Sequence, residues 1–325
     1  MVLSTQTKSS VAIQIVTYNS LSTLEACLVS LTKLNVAGVA LEILLLDNAS
    51  QDSTPQLIHE FDHMLDHVIF EKSNLGYSVA HNKLLHLSTA DYVLTLNPDV
   101  VLYPDYIVRM ITFLENNLNY GSVAGCLLRV DTLDEPAPQV IDSMGLFLRR
   151  NRRQGLRNEN QLLKDVVDNV DTDILGPDGA AAFYRRSALD EIAFRGEIFD
   201  EDFFMHKEDV DLCLRLQRAG YKSRYIADAK ALHVRTFRPG VKNRDRVNDS
   251  IRQIAIRNRY LVMLKNDTVS KLLLDAPFIL AYEIAIFVYI LLREPHSLIA
   301  YKMVLDSLPN ILKKRRHINR HPCII

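Results

Sequence analysis

The stretch FDEDFFMHKEDVDLCLR, residues 199–215, crowds six acids among aromatic side chains: Asp200, Glu201, Asp202, Glu208, Asp209 and Asp211. Like charges at this density repel. Either water or a cation must compensate, so the segment is a solvated face or part of a cation-dependent site. A second candidate is NPDV, residues 97–100, at the end of an apolar run. Hard divalent cations take oxygen ligands, and Mg²⁺ typically uses one or two carboxylates together with substrate phosphates. Asp99 is placed to be such a ligand for a nucleoside diphosphate leaving group, although Asn-Pro-Asp alone also reads as a turn.

Those residues need a scaffold. Apolar, β-branched runs at 11–18, 41–47, 67–71, 91–97 and 122–128 read as strands. Helical spacing falls between them at 22–32, 54–63, 77–87 and 104–116. Leu24, Leu28 and Leu31 share one face of the first helix, and Pro55 suits the first turn of the second. Strand and helix alternating at this pace imply βαβ units and a mainly parallel sheet flanked by helices, an α/β fold. Ligands on such sheets sit beyond the carboxyl ends of the strands. Thr17-Tyr18-Asn19, Asp47-Asn48 and Asn97-Pro98-Asp99 fall there. Residues 131–175 break the pattern: Asp134-Glu135-Pro136 interrupts structure, and Arg149, Arg150, Arg152 and Arg153 cluster. Loops or a hairpin at the rim of the site are expected. A strand at 179–185, a helix at 187–192, an amphipathic helix at 209–219 and a strand at 223–234 follow.

With 325 residues, 48% of them hydrophobic, the chain can bury a large core or two ordinary ones. A net charge of −1 gives no pull toward nucleic acid, which excludes that class of partner. Four cysteines without a CxxC fit a reducing compartment better than a zinc or disulfide framework. The polar N-terminal MVLSTQTKSS lacks the apolar run of a signal peptide, so a cytoplasmic protein is expected.

Six segments occur in order: VTYNS (16–20), LDNASQDST (46–54), NLGYSVAHN (74–82), LNPDV (96–100), DGAAAFYRRSAL (178–189) and FDEDFFMHKEDVDLCLRLQRAGY (199–221). This series resembles glycosyltransferase family 2, in particular its bacterial rhamnosyltransferase-like members, over about residues 10–265. The resemblance implies an A-type glycosyltransferase fold, a nucleotide-sugar donor, and inverting transfer with Mg²⁺ or Mn²⁺. It implies that Thr17, Tyr18, Asn19 and Asp47, with Asn74 and Gly76, hold the nucleotide. Asn97 and Asp99 match the motif that binds metal and diphosphate, with Asn97 replacing the first acid of Asp-x-Asp; Asp99 is left as the principal ligand. His233, in ALHVRTFR, matches the family's metal-binding histidine. Glu208-Asp209 matches the catalytic pair, with Asp209 as base and Asp211 as the alternative. Asp200, Glu201 and Asp202 would shape an acceptor pocket or form a solvated loop. One of Phe203 and Phe204 would serve the core, and His206 is an ordinary residue. Arg235, Arg238 and Lys242 could clamp the diphosphate.

The reading is therefore a catalytic region at 1–235 and a helical region at 236–325. The donor would be dTDP-L-rhamnose, or alternatively a UDP-sugar. The acceptor would be a glycan or a lipid-linked sugar in surface polysaccharide or cell-wall synthesis. A nucleotidyltransferase lacks its Gly-rich, basic phosphate loop here, and a non-catalytic scaffold would not need Asp99, Asp209 and His233. In the tail, residues 251–265 read as a helix, 276–292 as an apolar run interrupted by Glu283, and 297–312 as an amphipathic helix before Lys313, Lys314, Arg315 and Arg316. The run is barely long enough to span a bilayer. Peripheral contact with an anionic membrane on its cytoplasmic face, or packing in a homodimer, is the expectation.

Overall fold

The computed structural model describes residues 9–36, 38–131, 139–166, 170–235 and 247–319. Asp134-Glu135-Pro136, Arg238, Lys242, Arg320 and Cys323 lie outside them. In chain order the elements are β1 (Ser9–Thr17), α1 (Leu21–Leu31), β2 (Val39–Asp47), α2 (Thr54–Glu60), β3 (His67–Phe70), α3 (Gly76–Leu85), β4 (Tyr92–Leu96), β5 (Val100–Leu102), α4 (Tyr106–Asn116) and β6 (Tyr120–Arg129). Then come β7 (Val140–Ser143), β8 (Leu146–Leu148), β9 (Gln154–Leu156), β10 (Thr172–Ile174), β11 (Ala181–Arg185), α5 (Arg186–Glu191), α6 (Glu208–Arg218) and β12 (Lys222–His233). Three helices close the chain: α7 (Asp249–Asn266), α8 (Val269–Arg293) and α9 (Ile299–Ile318).

One sheet runs β10-β12-β6-β11-β4-β1-β2-β3. Its β4-β1-β2-β3 half is parallel, as the alternation requires. β11 enters antiparallel between β4 and β6, so the whole sheet is mixed. β1 is buried on both faces, which explains its unbroken apolar run. Val11, Ile13 and Ile15 meet Leu24 and Leu28 of α1 on one side. Ala12, between them, faces the cluster of Ala80 and Leu84 from α3.

Register then places the site. Thr17 pairs with Asp47, and Ile15 with Leu96, so the ends of β1, β2 and β4 reach one edge of the sheet. Ala181 pairs with Leu96, which brings residues 178–180 to that edge from the opposite direction. β5 pairs antiparallel with β12, His233 opposite Val100, and sets His233 beside Asp99. β5 was not expected from sequence; its three residues are too short for a periodic signal. The region around the arginine cluster does form a hairpin, β8–β9.

The last three helices pack against this unit. α7 contributes Leu261 and Val262, and α9 Ile311, to a cluster with Val210 and Cys213 of α6 and Phe203. α8 is longer than the apolar run suggested, 25 residues with mean hydropathy 1.9 over its most apolar window. By length and composition it is the one helix among the described residues that could cross a membrane. Glu283 is satisfied laterally: Arg259 Nη2 donates to it at 2.6 Å and the Tyr260 hydroxyl also bonds it. The basic run 313–316, in the last turns of α9, is not the exposed patch expected from the sequence. Lys314 is buried and bonds Asp200 at 2.5 Å, and Arg315 donates to the carbonyls of Leu264 and Asp267. Lys313 and Arg316 alone of the four are exposed. Internal carboxylates and helix ends compete for these cations, so the run is not a free electrostatic patch.

Candidate active site

Asp47 ends β2 nearly without exposure, and its carboxylate is fixed on three sides. Thr17 Oγ1 donates to it at 2.8 Å, Ser50 Oγ at 2.6 Å and the Ser50 amide at 2.9 Å. Asn19 ties the loop after β1 to the loop after β2, since its Oδ1 accepts from the Gln51 amide at 2.7 Å and its amide donates to Ser50 Oγ at 2.8 Å. Tyr18 is exposed between them. Asn74 accepts from the Gly76 amide at 2.9 Å and opens α3. Asn48, which the strand pattern places at the ligand edge beside Asp47, is a bridge between these loops. It is buried, accepts from the Leu75 amide at 2.8 Å and donates to the Gly76 carbonyl at 3.2 Å.

Asp99 follows β4 in a turn closed by the Val100 amide on the Asn97 carbonyl at 3.2 Å. Asp99 Oδ1 lies 3.3 Å from His233 Nε2. The other nitrogen of His233 faces Asp142 Oδ2 at 2.8 Å, and Arg235 Nε lies 2.8 Å from Asp142 Oδ1. Burial pushes the imidazole down, but hydrogen bonds to Asp142 and then Asp99 outweigh it and leave the ring at about 9. Arg235 thus supports Asp142, where a diphosphate clamp was expected. Asp142 had no signal in the sequence, being a lone acid in a segment without periodicity. Among the described residues no group of three or more His, Cys, Asp and Glu side chains is arranged to hold a metal ion by itself. A carboxylate and an imidazole backed by a buried carboxylate nevertheless fit a divalent ion that shares its remaining positions with substrate phosphate.

Asp209 stands in the first turn of α6. Its carboxylate accepts from the Val210 amide at 2.7 Å and from the Gly179 amide at 3.4 Å. The segment 178–180 links it to the sheet edge, because the Asn97 amide donates to the Ala180 carbonyl at 2.8 Å. Burial raises Asp209 to about 6, against the Val210 hydrogen bond and with help from the Asp178 charge. Glu208 is buried beside Tyr77 and Tyr184, and burial and then the Asp209 charge push it up to about 8. Both carboxyls are raised, Glu208 the more, so Asp209 is the one of the pair that ionises first as pH rises.

The other acids of the stretch are explained differently from the expectation. Asp211 is fully buried, with Arg215 Nε at 2.9 Å and Lys265 Nζ at 2.7 Å, and is removed as an alternative base. Asp200 is buried, not solvated: Lys265 and Lys314 enclose it in a small cavity under α9 and hold its carboxyl below the usual range, against its own desolvation. The compensating cations for both are protein side chains supplied by α6, α7 and α9. Phe203 is in the core, and the Phe204 carbonyl accepts from the Tyr77 amide at 2.7 Å.

The model of "Glycosyl transferase family 2" matches residues 12–193, more than half of the chain, and that of "Glycosyl transferase family group 2" matches 158–305. N-acetylglucosaminyl-diphospho-decaprenol L-rhamnosyltransferase of Mycobacterium tuberculosis is 27% identical over 246 residues, 69% of this chain and 76% of that protein. Rhamnosyltransferase WbbL of Escherichia coli is 28% identical over 149 residues, 44% of this chain and 52% of that one. The structure of GalNAc-T7 with UDP, GalNAc and Mn²⁺ superimposes with a TM-score of 0.61 at 11% identity, over 80% of this chain. This chain spans about half of that one, 48%. The mannosyltransferase PcManGT of Pyrobaculum calidifontis, with GDP-Man and Mn²⁺, gives 0.53 at 14% identity over 95% of this chain and 84% of its own. These structures share the fold, a mixed sheet flanked by helices. The chain belongs to glycosyl transferase family 2.

Proposed function

We propose that this chain transfers L-rhamnose from dTDP-L-rhamnose, with inversion, to a hydroxyl of a lipid-linked sugar in surface polysaccharide or cell-wall synthesis, at the cytoplasmic face of the membrane. The observation that carries the reaction is Asp209, a carboxylate near neutrality fixed by the segment that continues from the Asp99 edge. Asp209 takes the acceptor hydroxyl's proton while that oxygen attacks the anomeric carbon. The nucleoside diphosphate leaves from the opposite face, and the configuration inverts. Thr17, Tyr18, Asn19, Asp47, Asn74 and Gly76 line the nucleotide edge. Asp99 and His233 are the residues that would hold Mg²⁺ or Mn²⁺, with Asn97 as neighbour, and the ion would neutralise charge on the leaving diphosphate. Glu208, the more strongly raised of the two acids, leaves Asp209 as the one that ionises first. The rhamnosyl group is supported by the two rhamnosyltransferase relatives, and the lipid-linked acceptor by the name of the Mycobacterium tuberculosis one alone.

The test is release of nucleoside diphosphate from a panel of dTDP-, UDP- and GDP-sugars with a lipid-diphosphate sugar acceptor. Release with dTDP-rhamnose and not with UDP-sugars is expected. Turnover with a UDP-sugar alone would replace the donor, and turnover with none would remove the catalytic reading.

A further inference from the structure

The hairpin β8–β9 carries charge that the nucleotide edge does not use. Its four arginines divide into two pairs. Arg152 bonds Asp267 at 2.8 Å and Asp275 at 2.7 Å, while Arg150 bonds Asp275 at 2.6 Å and lies 4.0 Å from the Phe278 ring centroid. This pair fastens the hairpin to the start of α8. Arg149 and Arg153 are exposed and have no salt-bridge partner among the described residues.

Lys207 connects the hairpin to the base. It precedes α6, two residues before Asp209, in a left-handed conformation with φ 74°. Its Nζ donates to a neutral oxygen, Gln154 Oε1 on β9, at 3.3 Å, and makes no salt bridge among the described residues. Burial pushes the ammonium down to about 8; the Asp209 and Glu208 charges oppose this, and the Arg259 and Arg153 charges add to it. Arg149, Arg153 and Lys207, three cations that make no salt bridge among the described residues, are the complement of a multivalent anion, and arginine forks match phosphate oxygens in pairs.

α8 supplies the second, independent observation. Between Lys271 and Arg293 its outward face is wholly apolar, with Leu273, Leu274, Leu280, Ile284 and Leu292 each 59–73% exposed. The two acids of that span, Asp275 and Glu283, are engaged by Arg150 and Arg152 and by Arg259 and Tyr260. Interfaces between proteins carry about one hydrogen bond per 100–200 Å². This face offers no polar side chain to make one. A long apolar face with basic residues at both ends suits the boundary between lipid headgroups and acyl chains.

We propose that Arg149, Arg153 and Lys207 bind the diphosphate of a lipid-linked acceptor, presented to them by the bilayer surface in which α8 lies. This rests on the lipid-linked acceptor proposed above and gives it a binding site. The site is built on β8–β9 and the residue preceding α6, whereas the donor's diphosphate belongs to the ends of β4 and β12.

Binding is measured without donor on the full chain, so the donor's identity does not enter. The probes are an N-acetylglucosaminyl-diphosphoryl short-chain prenol in phosphatidylcholine nanodiscs, octyl N-acetylglucosaminide, which lacks the diphosphate, and phosphatidylglycerol vesicles. Arg149→Ala/Arg153→Ala is expected to weaken the first by roughly tenfold or more, the scale of a lost charge-assisted hydrogen bond. Affinity for octyl glycoside and for dTDP should not change, and Arg149→Lys/Arg153→Lys should recover part of the loss. Lys207→Gln should weaken the first probe likewise. Leu280→Glu/Ile284→Glu, on exposed positions, should cut vesicle co-sedimentation several-fold with dTDP affinity intact. Unchanged affinity for the diphosphate probe in the arginine variant overturns the proposal. An equal loss on phosphatidylglycerol vesicles would reduce the site to headgroup contact and also overturn it. So would a wild-type protein that ignores vesicles and forms a dimer split by Leu280→Glu/Ile284→Glu. If the probe binds as expected while no dTDP-rhamnose turnover is found, the donor reading fails and this one stands.

Discussion

Lys265 Nζ of α7 lies 2.7 Å from Asp211 Oδ1 of α6 and bonds Asp200 as well, so the C-terminal helices neutralise acids beside Asp209. All three side chains are almost fully buried. Removing one partner of such a group leaves an uncompensated charge, which costs about 3–5 kcal/mol. Lys265→Met should fall near the lower end, because Asp211 keeps Arg215 and Asp200 keeps Lys314. Urea unfolding monitored by circular dichroism measures it. A loss under about 1 kcal/mol would mean the cluster is not closed in solution. Truncation before α9 removes Lys314 and should lower Tm, since the tail is part of the fold's charge balance.

Asp209→Asn should keep donor affinity and lower kcat by about a hundred- to ten-thousand-fold, the span of general-base catalysis. The wild-type kcat/KM should rise with pH through about 6, where the buried Asp209 carboxyl loses its proton. A pH–rate profile with direct nucleotide titration checks both. Near-normal turnover in the variant would remove Asp209 as base.

Glu208 gives a stability prediction of definite sign. Its folded value, about 8, lies above an ordinary glutamate at 4.5. Between those values the folded chain holds a proton the unfolded chain has released. That contribution is full below about 4.5 and is lost as pH rises through about 8. At about 1.4 kcal/mol per unit, discounted for its coupling to Asp209, Glu208→Gln should gain about 2–4 kcal/mol over wild type at pH 9 and much less at pH 5. Denaturant midpoints at the two pH values decide it, and an advantage independent of pH would contradict the raised value.

Metal dependence is read by calorimetric titration of dTDP with Mn²⁺ and with EDTA. Asp99→Ala and His233→Ala should each abolish most of the metal-dependent affinity, and Asn97→Ala should matter less. Asp142→Asn should weaken metal affinity by about 10–100-fold, because Asp142 fixes the ring nitrogen of His233 that faces away from Asp99. Equal dTDP binding in EDTA would count against a metal-bridged site.

Gly76 begins α3 with φ +79°, and a Cβ there would stand 2.6 Å from Phe204 Cδ2. Gly76→Ala is strained in backbone and contact together. It should cost about 1–3 kcal/mol and weaken dTDP binding, since Leu75 and Gly76 bond Asn48 at the proposed nucleotide edge. Thermal melting and nucleotide titration test the pair of effects.

The sequence by itself determined the parallel half of the sheet, the order of its helices and the edge where ligands meet it. Burial on both faces writes an unbroken apolar strand, and burial on one face writes a helical stripe, so both survive as local pattern. Thr17, Asp47 and Asp99 were legible because they end such strands, and Glu208-Asp209 because they open an amphipathic helix. Tertiary structure decided what the charges do. Asp200 meets Lys314 across 114 positions and Asp142 meets His233 across 91, and pairing at that distance leaves no periodic trace. The same cause misread the basic run at 313–316: two of its four cations turn inward to carboxylates and carbonyls that only the fold brings to them. Which acid is a base, which is a strut and which holds its proton follows from burial and neighbours, and those are properties of the folded chain.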